Sequence, residues 1–374
     1  MTECRRPLVA LLMVLAWPLF CLLQLGHWLG FLIDEILFRG WRRVEVREPL
    51  FVLGPPRSGT THLHHVLSRD ENTTTFRMWE CLFGLSVTGR KLLLGLGRLD
   101  RALGRPLGRA GGWFGRRFLA GMDDVHPFSL NAPEEDFLAL MPAMQCFILV
   151  VAFPRAEWLW RTARLDEAVD AAARRRLMRF YRACVRKHLY VHGTDRRLLS
   201  KNASFSGMAE ALLETFPDAR IIACTRDPKK TVPSQLSAIR PGLNAAGFDR
   251  VPEVLRDRFV ELLKFYYLHL ERTARARPGQ VVVVDNAALH GDLHRTVADA
   301  LQALGLGLDD AFARALADLD RASRGFSSVH AYTLEEFGLT AEEIEERFAE
   351  VYRIRRFGRV GRSAAGKGDH GDGP

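Results

Sequence analysis

Residues 54–61 read Gly-Pro-Pro-Arg-Ser-Gly-Thr-Thr. Gly54 and Gly59 have the spacing of the phosphate-binding pattern G-x-x-x-x-G-K-[S/T], and Thr61 holds its hydroxyl position. Thr60 stands where that pattern has lysine, and Arg57 supplies a cation inside the loop instead. A glycine loop leading into a helix offers backbone N–H groups and the positive end of a helix dipole to an anion. Hydroxyls at Ser58, Thr60 and Thr61 add donors, and Arg57 adds a planar fork matched to a tetrahedral oxyanion. In nucleotide triphosphatases the loop lysine holds the β- and γ-phosphates beside magnesium, so its loss removes a main charge for triphosphate hydrolysis. A P-loop kinase or NTPase is thus one alternative reading, and a non-catalytic, membrane-tethered nucleotide-binding module is another.

Other residues could share in this chemistry. "TRDPKKTVPSQ" places Arg226 and Ser234 eight residues apart, the arginine at a strand exit and the serine on the helix that follows. A forked cation with a hydroxyl or helix-end donor suits a dianion. Lys201 closes a short apolar segment, at a strand end. His62, His64 and His65 follow the loop, but no H-E-x-x-H pattern accompanies them, and no metal is expected.

With two such elements in place, the chain resembles the sulfotransferases that use 3′-phosphoadenosine 5′-phosphosulfate (PAPS) and no metal. "PRSGTT" is similar to their 5′-phosphosulfate loop, in the arginine form of tyrosylprotein sulfotransferases and bacterial branches. Arg226 and Ser234 are similar to their 3′-phosphate motif. "NAPEEDFLAL" (131–140), "LLSKNASFSG" (198–207) and "HAYTLEEFGLT" (330–340) resemble further segments of the bacterial branch. Ala203 departs from that branch, which has proline there, and "VVDNAALHGD" replaces its usual Y-E-D-L stretch. The resemblance implies sulfuryl transfer, in line, from PAPS to an acceptor hydroxyl or amine. Cofactor contacts fall on Arg57, Ser58, Gly59, Thr60, Thr61, Arg226 and Ser234. Lys201 becomes a second cation for the bridging oxygen. Glu80, 23 residues after Arg57, is similar in position to the catalytic glutamate of the arginine-loop enzymes. Beside Trp79 and Phe83 its carboxyl is expected to lose water and rise toward neutrality. Glu135, Asp136 and His126 are the alternative bases.

The elements that must hold these residues follow from apolar runs. Leu50–Leu53, Ile221–Cys224 and Val281–Val284 read as buried parallel strands, and helical patterns follow each of them. Such alternation predicts an α/β fold, a P-loop-like parallel sheet flanked by helices, with ligands beyond the carboxyl ends of the strands. Residues 155–188 read as helical, their arginines as a solvated face. Residues 94–117, rich in Gly and Arg, read as a flexible excursion. The expected organisation is an anchoring segment at 1–45, a catalytic domain at 46–358 and a disordered tail at 359–374.

Residues 8–33 carry no Lys, Arg, Asp or Glu and would extend about 39 Å as a helix, enough to span a bilayer. Pro18 leaves room for a helix lying in one leaflet instead. Arg39, Arg42, Arg43 and Arg47 outnumber Arg5 and Arg6, which favours a cytoplasmic catalytic domain. The net charge of +9 suits an anionic ligand or an anionic surface; no nucleic-acid partner is expected. The six cysteines are scattered without a C-x-x-C pair, against a disulfide framework or zinc site. The expected acceptor is a small molecule, a lipid or a glycan.

Overall fold

The computed structural model describes residues 7–106, 108–109, 133, 135–323 and 332–357. Five strands form one parallel sheet in the order β2-β3-β1-β4-β5. They are β1 (Leu50–Leu53), β2 (Thr73–Thr74), β3 (Arg197–Lys201), β4 (Arg220–Thr225) and β5 (Val281–Asp285). In register, Val52 faces Lys201 on one side and Ile222 on the other, so the ends of β1, β3 and β4 share one rim. All four residues of β1 are buried, as a strand covered on both faces requires. Phe51 and Leu53 join one core with Ile221 and Leu198; Leu50 and Val52 join the other with Ile222 and Leu199.

Helices cover the sheet. At the N-terminal side they are α1 (Pro7–Leu37), α2 (Thr60–Leu67), α3 (Met78–Phe83) and α4 (Val87–Ala102). The middle of the chain forms α5 (Glu157–Thr162), α6 (Leu165–Ala168), α7 (Ala171–His192) and α8 (Ala209–Thr215). Around the last two strands lie α9 (Pro228–Ala245), α10 (Glu253–Ala276), α11 (Asn286–Gly291), α12 (Leu293–Ala303) and α13 (Asp310–Ser323). The described chain ends with α14 (Ala341–Arg347) and α15 (Ala349–Ile354).

One expectation needs correction, and one is refined. Residues 94–102 belong to helix α4 rather than to a flexible excursion. Leucines are strong helix formers and outweigh Gly95 and Gly97 here, and the Ser86 side chain caps the helix by accepting from the Gly89 N–H. Residues 155–192 form three helices, the last begun by Asp170, whose carboxylate accepts from the Ala172 and Ala173 N–H groups. The tail at 359–374 lies outside the described residues.

Helix α1 packs on the domain. His27 bonds the Leu82 carbonyl at 3.0 Å, and the Trp28 indole N–H donates to the Pro142 carbonyl at 3.3 Å. Asp34 is wholly buried and pairs with Lys187 of α7 at 2.7 Å. Its carboxylate also accepts from the Val87 and Thr88 N–H groups, so a residue of α1 caps the start of α4. Breaking a buried ion pair from one side leaves an uncompensated charge, which costs about 3–5 kcal/mol. Asp34→Ala should therefore destabilise the protein by about that much. Adding Lys187→Met should recover a large part of the loss, measured by thermal or denaturant unfolding in detergent.

Candidate active site

The loop after β1 is shaped by close approaches. At Gly54 (φ 147°) a Cβ would sit 2.4 Å from the Cys224 carbonyl oxygen. Its N–H donates to Ser206 Oγ at 3.0 Å, tying the loop to the segment after β3. Arg57 adopts φ 70°, left-handed and strained for a residue with a side chain. Gly59 (φ 97°) begins α2, and a Cβ there would meet Asn286 Oδ1 at 2.3 Å. The first N–H groups of α2 have no intrahelical partner.

The two arginines expected to act together are together. Arg57 Nε donates to Ser234 Oγ at 3.1 Å, and Arg226 Nη1 donates to the Arg57 carbonyl at 3.1 Å. Burial, and then the Arg57 charge, lower the Arg226 pKa from its ordinary value. Among the described residues neither guanidinium has a carboxylate within salt-bridge distance. The segment is pinned from behind. The Tyr267 hydroxyl donates to the Arg226 carbonyl, the Tyr352 hydroxyl donates to Asp227 at 2.7 Å, and Asp227 caps α9 through the Lys229 N–H. Ser234 stands about two turns into the helix that Asp227 starts.

Lys201 ends β3 with its ammonium 2.8 Å from Glu135 and 3.4 Å from the Thr61 hydroxyl. Asp136, next to Glu135, is buried and accepts from Ser200 at 2.9 Å and from the Tyr181 hydroxyl. Burial raises its carboxyl to about 6 against those bonds. Asp136 thus holds residue 135 against the end of β3, a structural part, while Glu135 stands at the loop.

Glu80 is different from its expectation. It is wholly buried, at the third position of α3, and its carboxylate accepts from the Arg77 N–H and from Arg90 Nε at 2.8 Å. His192 lies 2.7 Å from the same oxygen and His188 3.3 Å. Burial alone would raise the carboxyl, but His188 and Arg90 outweigh it and hold it well below the usual range. Burial also pushes His188 down to about 4, so its ring is neutral at pH 7 and Arg90 carries the standing charge opposite Glu80. The expected rise toward neutrality is reversed because Arg90 was not visible as a neighbour. Glu80, His188 and His192 are close enough to bind a metal ion, with ligand atoms within 4.8 Å of one another. The Arg90 cation already occupies the carboxylate oxygen they would share.

The loop histidines face separate partners. His62 stacks on His290, and His64 bonds the Thr75 hydroxyl at 2.9 Å. Burial, then the Lys201 charge, lower His64 to about 3. His126 lies outside the described residues. Among the described residues, the polar atoms at this rim that are buried without a partner include Ser58 Oγ, Thr225 Oγ1 and Asn286 Oδ1. Such orphans need an explanation, and a polar ligand over the loop supplies one. The sequence reading missed Asn286 and Thr225; their only signal is a polar residue at the exit of a buried strand.

A family profile described as "Sulfotransferase family" matches residues 49–310. The chain is 27 % identical over 327 residues to the omega-hydroxy-beta-dihydromenaquinone-9 sulfotransferase Stf3 of Mycobacterium bovis, covering 83 % of this chain and 75 % of that one. The Stf3 of Mycobacterium tuberculosis matches equally. Among solved structures, sulfotransferase STF9 from Mycobacterium avium superposes with a TM-score of 0.67 at 20 % identity, over 91 % of this chain and 85 % of that one. STF1 from Mycobacterium tuberculosis H37Rv gives 0.61 at 21 %, over 86 % and 81 %. These two structures share the fold.

The Gly59 geometry yields a direct expectation. Gly59→Ala puts a side chain on a left-handed backbone and against Asn286, a strain of about 2 kcal/mol. The unfolding free energy should fall by about that amount, measured by denaturant unfolding, and calorimetric affinity for 3′-phosphoadenosine 5′-phosphate should fall as well, because the loop must shift to relieve the contact.

Proposed function

The chain belongs to the sulfotransferase family, and from that premise we propose that its sulfuryl donor is PAPS, held by the loop, Arg57, Arg226 and Ser234. The observation that carries this reading is the pair of adjacent guanidiniums with no carboxylate partner among the described residues. Two cations so placed, without carboxylate partners, call for anionic groups beside them. The donor set fits: two forks, the Ser234 hydroxyl, the unpartnered Ser58 hydroxyl and the N-terminus of α2. Family membership disfavours the triphosphatase alternative, as does threonine at the lysine position.

PAPS bound there would supply an activated sulfuryl group for transfer to an acceptor oxygen. Catalysis then rests on position and charge. Arg57 and the loop N–H groups hold the 5′-phosphate, with Thr60 and Thr61 beside them. Lys201, next to Thr61, steadies the charge that develops on the departing oxygen. Glu80 is the carboxylate assigned to take the acceptor proton; the Arg90 pair holds it ionised but weakens it as a base, so Arg90 must give way as the proton arrives. Glu135 tethers Lys201.

The acceptor we propose is a hydroxyl on an apolar lipid. The Stf3 relative is named for an omega-hydroxylated menaquinone, and α1 exposes a long apolar surface. The expected setting is a membrane surface; a cytoplasmic side, as the arginines after α1 would favour, follows only if α1 crosses the bilayer.

Two measurements test this reading. Ser234→Ala should weaken 3′-phosphoadenosine 5′-phosphate about tenfold, the value of one bond to a charged group. Adenosine 5′-phosphosulfate, which lacks the 3′-phosphate, should be nearly unaffected; equal losses for the two ligands would refute the 3′-phosphate assignment. Glu80→Gln should keep donor affinity while transfer drops by about two to four powers of ten. Glu135→Gln should instead perturb donor affinity through Lys201. If the two variants exchange behaviours, Glu135 is the base.

A further inference from the structure

The sequence of α1 is apolar on all sides, but the fold divides it. One side meets the domain: His27 and Gly30 are buried, Phe31 packs edge-on to Phe180 at 5.8 Å, and Asp34 is buried on Lys187. Gly30 is needed there, since a Cβ would sit 2.4 Å from Ser86 Oγ. Nearer its start, Trp17 meets Phe153 with ring centroids 6.5 Å apart. The helix therefore lies along the domain from Trp17 to Asp34, about 26 Å of its length.

The other side has no cover among the described residues. Leu15, Leu19, Leu22, Leu25, Leu29, Leu32 and Ile36 are each more than half exposed, at spacings of three and four residues. Helix α4, whose start is capped by Asp34, repeats the pattern. Its Leu92 and Leu99, and Leu103 just past its end, are more than half exposed and Leu96 is 43 % exposed, again three and four apart. By helical spacing this stripe is opposite Arg90, whose side chain is buried. Such contiguous apolar area on a soluble surface marks a contact with something apolar.

Charge and ring positions say what covers it. Lys91 and Arg98 flank the α4 stripe on one side by the same spacing, and Arg39 and Arg43 follow α1. Among the described residues none of these four pairs with a carboxylate. Trp17 and Trp28 are both nearly half exposed, as indoles at a membrane interface are. Apolar stripes with basic flanks and half-exposed indoles match a bilayer surface with anionic headgroups. A crossing orientation would carry Phe153, Pro142 and Leu82, and the domain around them, into the hydrocarbon, because α1 is docked on those residues.

We propose that α1 and α4 together form one in-plane membrane face, which seats the protein in a single leaflet of an anionic bilayer. The leucines of α4 are a second wedge beside α1. This stands apart from the donor assignment and would survive its failure.

Spin labels at Leu22, Leu29, Ile36 and Leu96, one at a time in full-length protein with Cys4→Ser and Cys21→Ser, would read depth by oxygen and nickel accessibility. The protein would be reconstituted on vesicles of equal phosphatidylglycerol and phosphatidylcholine. All four labels should report a similar, shallow depth in lipid. Flotation of Leu92→Ser/Leu96→Ser/Leu99→Ser should show partitioning to these vesicles reduced at least about tenfold, because three apolar side chains leave the lipid contact. Pure phosphatidylcholine should bind the unaltered protein less well. A depth that deepens steadily along α1 means a span and overturns the proposal. So does a Leu96 label in water, or one shielded from lipid with spin coupling between copies, which would make this face a dimer contact. Unchanged partitioning of the triple variant would overturn the part given to α4.

Discussion

Two positive charges held side by side, Arg57 and Arg226, are the constraint around which the site is organised. The Arg57 charge is close enough to lower the Arg226 pKa, after burial. The fold sustains that arrangement because the backbone bearing each arginine is fixed from elsewhere. Arg57 is trapped between two glycines whose Cβ positions are filled by neighbouring atoms. Arg226 is clamped through its carbonyl by Tyr267, and the turn after it by Asp227 and Tyr352. Under the proposed assignment, one phosphate beside each arginine would relieve the repulsion between them.

The parts of this site that were legible in the sequence are those encoded by short spacing. The loop, the strand before it and the helix after it lie within residues 50–67. Arg226 and Ser234 are joined by one helix. The bond from Arg57 to Ser234 crosses 177 positions, yet it too follows from the parallel order, which places β1 beside β4 and so sets their exit loops next to each other.

What was illegible depends on contacts between distant positions. The carboxyl of Glu80 was expected to rise because Trp79 and Phe83 adjoin it in sequence. Its pKa is instead set by Arg90, ten residues on, and by His188 and His192, more than a hundred residues away. Helix α4 was obscured by its glycines; the three- and four-residue leucine spacing was present but is confined to one exposed face. An apolar run such as α1 carries no directional information, since every side of it is alike. Only the partners of His27, Gly30 and Asp34 divide it into an inner and an outer side.

The same helix, α7, links α1 to Glu80. Lys187 on α7 receives Asp34 of α1, and the next residue, His188, contacts Glu80, as does His192 one turn later. Asp34 also caps α4, which carries Arg90, the cation paired with Glu80. Displacement of α1 would therefore disturb both sides of the Glu80 environment, the histidines through α7 and the guanidinium through α4. If the proposed lipid acceptor and membrane face hold, that coupling is a physical reason for building α1 into the domain, where a flexible tether would leave the site indifferent to the membrane.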